Sequence, residues 1–416
     1  MQTYLVGGAV RDELLGQPAH DRDYVLVNAT PSDIDRLLEA GYQQVGKDFP
    51  VFLSPQGEEY ALARVERKTG SGHKGFSFAI EQVSLVDDLS RRDLTINAMA
   101  RDLLTGELTD PYGGQHDLRA GILRHVSESF AEDPLRVFRV ARFAARYPSF
   151  RLAVETREIM TQVTARGDLS QLSAERVWGE TVKALAASAP RRYFEVLKDV
   201  GALQEWFPEL EALDQVPQPA EHHPEGDAWI HTLMVLDQIQ AGTTAEKLAA
   251  LFHDIGKGLT PPEEWPRHVD HEITGGILLD EVRRRLRVPK EEFTLMRVVA
   301  EQHLRVHQVL AIRKPGRLLA LLQAIRGTRV EQEAFFSSVL KVCQADARGR
   351  LGREATPYPP AAFLRGAREV LLGIRCSPEY AQLVASGVAG QDFAAELARL
   401  QIARLQQYMK SQAEPS

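Results

Sequence analysis

Asp21 and Asp23 are the side chains whose types and spacing are best suited to phosphoryl chemistry. Carboxylate oxygens bind hard cations such as Mg²⁺, and two such ions can activate an attacking hydroxyl and stabilise the leaving oxygens of a phosphoryl group. An isolated Asp-x-Asp is common and is more often a solvated surface turn. Here it follows the stretch Gly7-Gly8-Ala9-Val10-Arg11-Asp12, and this combination of glycine turn, arginine and carboxylates indicates a metal-dependent phosphate site.

Three short elements are needed to position these groups. Tyr4 to Val6 has the pattern of a strand, the glycine pair that of a tight turn, and Ala9 to Leu15 that of a helix. The first N–H groups of a helix lack partners and therefore suit a phosphate. Asp21 to Val27 is predicted to be a second strand, in which residues two apart project from the same face. We therefore expect Asp21 and Asp23 to point the same way.

Two later segments carry clustered positive charge. Arg91 and Arg92 are suited to a triphosphate, and Asp93 beside them is suited to a ribose hydroxyl. Residues 67–76 are rich in glycine and in basic residues. This loop is equally consistent with closure over a nucleotide and with a flexible connection.

A row of arginines follows Glu132-Asp133-Pro134, where the helical pattern of the chain begins. The row consists of Arg136, Arg139, Arg142 and Arg146. Spacings of three and four place these side chains on one face of a helix. Such a face is often merely solvated, but its position directly after the acidic residues favours a ligand-facing role.

The overall composition limits the classes of function. A net charge of −7 over 416 residues excludes a uniformly basic nucleic-acid coat, so RNA would have to be bound by local clusters of Arg and Lys. Cys343 and Cys376 do not form a Cys-x-x-Cys pair, which fits a reducing cytoplasm and excludes a cysteine-based zinc site. We expect no secretory signal, because Arg11 and Asp12 interrupt the early apolar run. We also expect no membrane association, because no apolar segment is long enough to cross a bilayer.

Four ordered motifs together resemble the class II tRNA nucleotidyltransferases, the CCA-adding enzymes of the DNA polymerase β superfamily. They are Leu5 to Asp12, Asp21 to Asp23, Arg91 to Ala98 and Glu132 to Arg136. The resemblance implies an α+β fold, in which an N-terminal nucleotidyltransferase head with a small mixed β-sheet and flanking helices precedes all-α neck, body and HD domains. The domains are expected at residues 1–140 for the head, 141–220 for the neck and body, 221–350 for the HD domain and 351–416 for a helical tail. The proline-rich stretch 217–220 is the clearest boundary signal in the sequence itself.

The same resemblance implies roles for single residues. Asp21 and Asp23 would bind Mg²⁺, and Gly8 and Arg11 would contact the triphosphate. The nucleotide pocket would be lined by Arg91, Asp93, Asp133, Arg136 and Arg139. Of these, the carboxylate of Asp133 and the guanidinium of Arg136 would read the incoming base. Cytosine and adenine each present an amine beside an unprotonated ring nitrogen, whereas uracil and guanine present a carbonyl beside a ring N–H, so this pair fits C and A alone.

A second resemblance, to the HD superfamily of metal-dependent phosphohydrolases, depends on His231, His253-Asp254 and Asp346, with Gly256-Lys257 directly after the pair. Imidazole and carboxylate ligands suit a transition metal such as Ni²⁺, Co²⁺, Mn²⁺ or Zn²⁺. One bacterial subgroup of CCA-adding enzymes carries such a domain, with 2′,3′-cyclic phosphodiesterase, 2′-nucleotidase and phosphatase activities. Four other histidines are further ligand candidates, although a surface position is the preferred interpretation for each: His222, His223, His271 and His303.

Both resemblances together predict a cytoplasmic tRNA maturation and repair enzyme that binds tRNA, uses CTP and ATP, and is a monomer or a weak homodimer. A poly(A) polymerase has a head with similar motifs, and an enzyme that adds only CC or only A is a further alternative. A phosphohydrolase with an idle head, or an RNA-binding module without catalysis, would also keep this architecture. The intact aspartates and histidines argue against the binding module.

Overall fold

The chain forms two compact units, Met1–Glu205 and Trp206–Ser416. The first combines a mixed sheet with helices and the second is built from helices, which confirms the predicted α+β fold with its helical C-terminal part. The division lies before the proline-rich stretch 217–220, and the four-domain scheme stays a prediction. The structure is a computed structural model, and it describes residues 1–19, 21–45, 51–68, 76–79 and 83–413. Residues 69–75 of the predicted glycine-rich loop lie outside these ranges.

The strands of the first unit form one mixed sheet and two small ladders. They are β1 (Gln2–Val6), β2 (Asp23–Val27), β3 (Gln43–Val45), β4 (Val51–Leu53), β5 (Glu59–Leu62), β6 (Val65–Lys68), β7 (Phe76–Ala79), β8 (Ala100–Asp102), β9 (Leu108–Thr109), β10 (Ile122–Leu123) and β11 (Arg151–Leu152). The main sheet has the order β3-β4-β5-β2-β1-β8-β9. In it β2 and β5 are parallel and the other neighbours are antiparallel. β6 pairs with β7, and β10 pairs with β11.

The central strand β2 is buried on both faces. Val25 and Val27 pack with Leu89 in one hydrophobic cluster, whereas Leu26 packs with Phe52 in another. Alternate residues of a strand point to opposite faces, so a strand covered on both sides needs apolar residues in succession. The run Tyr24 to Val27 meets this need and fixes β2 in the middle of the sheet.

The turn between β1 and the first helix requires glycine. Gly7 has a φ of +68°, a region that residues with a side chain rarely adopt, and a Cβ atom there would lie 3.0 Å from the Arg92 guanidinium. The paired register of β1 and β2 ends at Val6 and Asp23, because the chain turns away at Gly7. Asp21 therefore has no strand partner. The prediction that Asp21 lies within the strand is wrong, and the alternation argument does not apply to it.

The helices up to the division between the units include those that flank the sheet. They are α1 (Gly8–Leu14), α2 (Pro31–Glu39), α3 (Leu85–Ser90), α4 (Gly114–Ala120), α5 (Leu135–Arg146), α6 (Val154–Ala165), α7 (Ala174–Leu185), α8 (Arg191–Asp199) and α9 (Leu203–Trp206). α2 begins with a capping box, in which Thr30 and Asp33 each accept a hydrogen bond from the other's backbone N–H. α5 packs against α7 and α8, and it carries the predicted arginine row.

The helices of the second unit bring distant histidines and aspartates together. They are α10 (Pro208–Glu211), α11 (Ala228–Gln238), α12 (Thr244–Phe252), α13 (His271–Leu286), α14 (Lys290–His307), α15 (Pro315–Ala324), α16 (Glu333–Arg348), α17 (Pro359–Gly373), α18 (Pro378–Ala385) and α19 (Gly390–Ala413). α12 packs against α11, α14 and α16, and α13 packs against α14. Among the described residues, we find no helix with the length and apolar character that crossing a bilayer requires.

Candidate active sites

A cavity of about 680 Å³ in the first unit brings the predicted head residues together. The lining includes every one of them: Gly8, Arg11, Asp21, Asp23, Arg91, Asp93, Asp133, Arg136 and Arg139. Arg142 and Arg146 of the arginine row also line it, so the whole row faces the cavity. The helical spacing was a sufficient signal for these two residues.

The cavity is strongly cationic in a chain of net negative charge. Its lining has nine arginine or lysine side chains and five aspartates, whereas the whole chain has a net charge of −7. Concentrating cations in one concave site raises the local concentration of a polyanion. The cavity is therefore suited to a triphosphate.

A polar network fixes Arg11 and Arg139 in this cavity. Asn97 accepts a hydrogen bond from Arg11 Nη1 at 2.5 Å and donates from Nδ2 to Asp93 Oδ1 at 2.9 Å. Arg139 Nε donates to the other oxygen of Asp93 at 2.8 Å. Burial raises the pKa of Asp93, but Arg139 and Asn97 lower it more, and the net pKa lies well below the usual carboxyl range. Asp93 is therefore an anion that orients its neighbours, and its ribose role stays a prediction.

Asp21 and Asp23 lie side by side at the cavity without a counter-ion of their own. Within the described part of the chain, neither carboxylate makes a hydrogen bond or an ion pair. Burial raises the pKa of Asp23; Arg92 partly offsets this effect, and the neighbouring Asp21 carboxylate adds to it. A divalent cation would offset both effects by stabilising the ionised form of the two carboxylates, so these residues fit Mg²⁺.

Asp133 and Arg136, the predicted base-reading pair, are oriented by contacts with residues outside the segment Glu132 to Arg136. Arg176 Nη2 lies 3.1 and 2.9 Å from the two oxygens of Asp133, and Arg136 donates to the carbonyl oxygens of Ser129 and Arg91. The sequence analysis missed Arg176, and it also missed Lys183, which lines the same cavity from α7. These two residues are seven positions apart, which places them on one face of α7. This spacing was a signal from which their shared orientation could have been predicted.

In the second unit, three helices bring the four predicted metal ligands to one point. His231 lies on α11, the pair His253-Asp254 follows α12, and Asp346 lies on α16. His231 Nε2 is 3.2 Å from Asp346 Oδ1, and His253 Nε2 is 3.1 Å from Asp254 Oδ2. All four residues are buried. Buried imidazole and carboxylate donors this close together fit a transition-metal centre, and His231, His253 and Asp254 offer ligand atoms within 4.8 Å of one another.

Two unsatisfied atoms support a metal at this point. Over the ranges that the structure describes, His253 Nε2 and Asp254 Oδ1 are buried and have no hydrogen-bond partner. His253 Nδ1 is 2.8 Å from the Ala250 carbonyl, so it carries the hydrogen and leaves the Nε2 lone pair directed into the site. His231 is fixed in the same way by the Gly349 carbonyl, 3.0 Å from its Nδ1. The residues present therefore fit a transition-metal ion.

Three of the four additional histidines are buried, so the preferred surface interpretation is wrong for them. His271 and His303 lie with their Nε2 atoms 3.2 and 3.5 Å from Asp254 Oδ1, and His223 lies 2.9 Å from Glu225. Burial lowers the pKa of His223 to about 4, so its imidazole is neutral near pH 7. His222 is exposed, as expected. The sequence analysis also missed Glu225, whose carboxylate lies 3.0 Å from His231 Nδ1.

Comparison with known proteins gives matches over almost the whole chain. Three family models match: "Poly A polymerase head domain" over residues 3–124, "Probable RNA and SrmB- binding site of polymerase A" over 149–213, and "HD domain" over 229–346. The chain is 49% identical to the multifunctional CCA protein of Hahella chejuensis, over 99% of this chain and 97% of that protein. It is 49% identical to the same protein of Pseudomonas aeruginosa PAO1 over the full length of both, and 50% identical to that of Nitrosococcus oceani over 98% of each.

The chain belongs to the multifunctional CCA protein family. This membership confirms the predicted CCA-adding nucleotidyltransferase with an HD phosphohydrolase domain. Both domain types imply the use of divalent metals. The full-length relatives also favour this interpretation over the poly(A) polymerase, whose head belongs to the same domain family.

The fold is shared with solved CCA-adding enzymes. A CCA-adding enzyme in complex with CTP has a TM-score of 0.66 at 21% identity, over 97% of this chain and 87% of that one. The Thermotoga maritima CCA-adding enzyme complexed with tRNA has a TM-score of 0.63 at 20% identity, over 99% and 90%. At this level of identity the likeness shows the fold alone. The roles of single residues in the family member described here therefore stay predictions.

Proposed function

We propose that the first unit adds C, C and A to the 3′ end of tRNA, using CTP and ATP and Mg²⁺ bound by Asp21 and Asp23. The single observation that carries the proposal is that the cationic cavity of the first unit brings together all nine predicted head residues. Relatives that match over their full length are CCA proteins, and neighbours in fold were solved with CTP, with ATP and with tRNA.

Each group of side chains has a distinct task in this reaction. Arg11, Arg91 and Arg139 bind and orient the triphosphate, with Gly8 allowing close approach of the backbone. When bound, Mg²⁺ supplies charge neutralisation at the phosphates and makes the tRNA 3′-hydroxyl more acidic. Asp133 and Arg136 select C and A by their complementary acceptor and donor, without a nucleic-acid template. The contact between Asp133 and Arg176 supports this role, because it holds the acceptor in one orientation.

For the second unit we propose hydrolysis of 2′,3′-cyclic phosphates, 2′-nucleotides and phosphomonoesters at a transition-metal site. His231, His253, Asp254 and Asp346 would hold the ion, and Ni²⁺ suits their mixed imidazole and carboxylate donors. The buried Nε2 of His253 and Oδ1 of Asp254, which make no hydrogen bond within the part of the chain that the structure describes, support the assignment. The protein would act in the cytoplasm as a monomer or weak homodimer without membrane contact, with the four domains at the boundaries predicted above.

The first experiment is incorporation of labelled CTP and ATP, separately and together, into a tRNA that lacks its 3′ CCA, with Mg²⁺ alone. A product three nucleotides longer that requires both substrates is the expected result. A long run of A from ATP alone would identify a poly(A) polymerase instead. If the folded protein incorporated neither nucleotide, the remaining interpretations would be a phosphohydrolase with an idle head or an RNA-binding module.

Single substitutions then test the division of labour. Asp21→Ala or Asp23→Ala should abolish incorporation and leave phosphohydrolysis intact, whereas His253→Ala should do the reverse. Asp35→Ala is the matched control, because Asp35 is an exposed carboxylate of the same unit, away from the cavity lining. Loss of both activities in a folded single variant would refute the assignment of one reaction to each unit.

A further inference from the structure

The two oxygens of Asp346 face different groups. Oδ1 lies 3.2 Å from His231 Nε2 and 3.8 Å from His253 Nε2, on the side of the candidate metal site. Oδ2 lies 2.6 Å from Nε2 of His307, a residue at the end of α14 that the assigned ligand set does not include. The carboxylate is therefore shared between the metal side and a histidine outside it.

The hydrogen positions on His307 follow from its partners. A carboxylate can only accept hydrogen bonds, so His307 Nε2 carries a hydrogen and donates it to Asp346. In the neutral ring Nδ1 is then an acceptor, and the Tyr358 hydroxyl, 2.8 Å away, donates to it. Burial strongly raises the pKa of Tyr358, so the phenol keeps the proton that it donates. His307 is consequently an orienting neighbour of Asp346, because its Nε2 lone pair is not available to an ion.

Tyr358 reaches this site from outside the segment that resembles the HD domain. The family model ends at residue 346, and Tyr358 directly precedes α17. The intervening segment contacts the site at one other point, where the Gly349 carbonyl lies 3.0 Å from His231 Nδ1. Within the segment, Arg348 Nε at the end of α16 donates to the Thr356 carbonyl at 3.0 Å.

We propose that Tyr358 is a positioning residue of the metal site, which acts through His307 to hold Asp346 with Oδ1 directed at the ion. The C-terminal segment after α16 thereby completes the phosphohydrolase site. The inference rests on the proposed phosphohydrolase function of the second unit. It concerns how firmly the ligand is oriented, and it assigns no proton transfer to Tyr358 or His307.

The test is the affinity of the full-length chain for Ni²⁺, measured by calorimetric titration in a background with Asp21→Asn and Asp23→Asn, which removes binding by the head. Partners that orient metal ligands typically contribute about 10- to 100-fold to metal affinity. We expect His307→Ala to weaken Ni²⁺ binding by about this factor, and Tyr358→Phe by about 10-fold, because the imidazole then remains. Since Tyr358 acts through His307, the double variant should bind Ni²⁺ no more weakly than His307→Ala alone.

Tyr408→Phe is the matched control. Tyr408 lies on α19 in the same C-terminal part of the chain, and its hydroxyl donates to the Phe363 carbonyl at 2.9 Å, so this variant also loses one hydrogen bond. We expect it to keep wild-type Ni²⁺ affinity, with a melting temperature similar to that of Tyr358→Phe. Equal Ni²⁺ affinity of Tyr358→Phe and Tyr408→Phe, or additive losses in the double variant, would overturn the inference while leaving the proposed function intact. Absence of metal-dependent hydrolysis in the parent chain would instead overturn the proposed function.

Discussion

Replacing Gly256 by alanine should disable the second site through a backbone collision. A Cβ atom at this position would lie 2.0 Å from the His271 carbonyl oxygen and 2.7 Å from the Gly275 amide nitrogen, whereas real Cβ atoms essentially never come within 3.0 Å of such atoms. The start of α13 must therefore move away from the His253-Asp254 segment by about 1 Å, since backbone atoms cannot rotate aside as a side chain does. That shift carries His271 away from Asp254.

The size of the effect can be worked from this geometry. Overpacking against backbone costs about 3 kcal/mol, which lowers the melting temperature of a unit of this size by about 6–12 °C. A displacement of about 1 Å at a reacting centre costs about 100-fold in rate. We expect Gly256→Ala to lose about that factor in metal-dependent hydrolysis of a 2′,3′-cyclic nucleotide and to retain CCA addition.

The control is the same substitution at Gly373, in the second unit, where an added Cβ would meet no heavy atom within 4 Å. Melting curves and hydrolysis rates of both variants, at saturating Ni²⁺, are the measurements. If Gly256→Ala behaved like Gly373→Ala in both, the close packing of α13 against the His-Asp pair would not be what the site needs, and the reasoning would be refuted.

Three further outcomes follow from the described contacts. Asn97→Ala removes two buried hydrogen bonds to charged groups, with Arg11 and Asp93, and should destabilise the first unit by about 3 kcal/mol and raise the KM for CTP; melting curves and incorporation kinetics check this. Burial raises the pKa of Asp88, but two adjacent guanidiniums lower it more, so this pKa is lower in the folded chain than in the unfolded chain. The ionised carboxylate therefore contributes its full stabilisation of the folded state above about pH 4, and this contribution is lost as the pH falls through the folded-state pKa. Asp88→Asn should therefore cost about 2 kcal/mol of folding free energy at pH 7, and the difference from the parent chain should disappear in acid denaturation series. In the background with Asp21→Asn and Asp23→Asn, Ni²⁺ at 100 times its dissociation constant should stabilise the chain by about 2.7 kcal/mol, and it should leave the melting curve unchanged when Asp254→Ala is added.

Local spacing was enough for most of the first site. The arginine row was predicted to face a ligand, and all of its side chains line the cavity, because the helical period fixes which residues share a face. The strand pattern predicted β2 itself, but the alternation argument failed for Asp21. Where a strand begins depends on where its partner ends, and the turn at Gly7 ends β1 opposite Asp23.

Contacts between distant helices could not be obtained from spacing. Arg176 approaches Asp133 and Tyr358 approaches His307 through tertiary contacts between segments that are far apart in the chain, which no local period encodes. The burial of His303 did have a local signal. It shares a helix face with buried apolar residues three and four positions before it, so its expected surface position contradicted the pattern of its own helix.

The end of α12 has a consequence for how the metal site can vary. The last four carbonyl groups of a helix lack partners within it, and His253 Nδ1–H satisfies one of them, that of Ala250. The same hydrogen therefore caps the helix and fixes the tautomer that a metal ligand needs. The negative end of the helix dipole also favours a cation beside this terminus. A substitution at His253 removes a helix cap and a ligand in one step, so the stability of this helix end and the metal site cannot be changed independently through this residue.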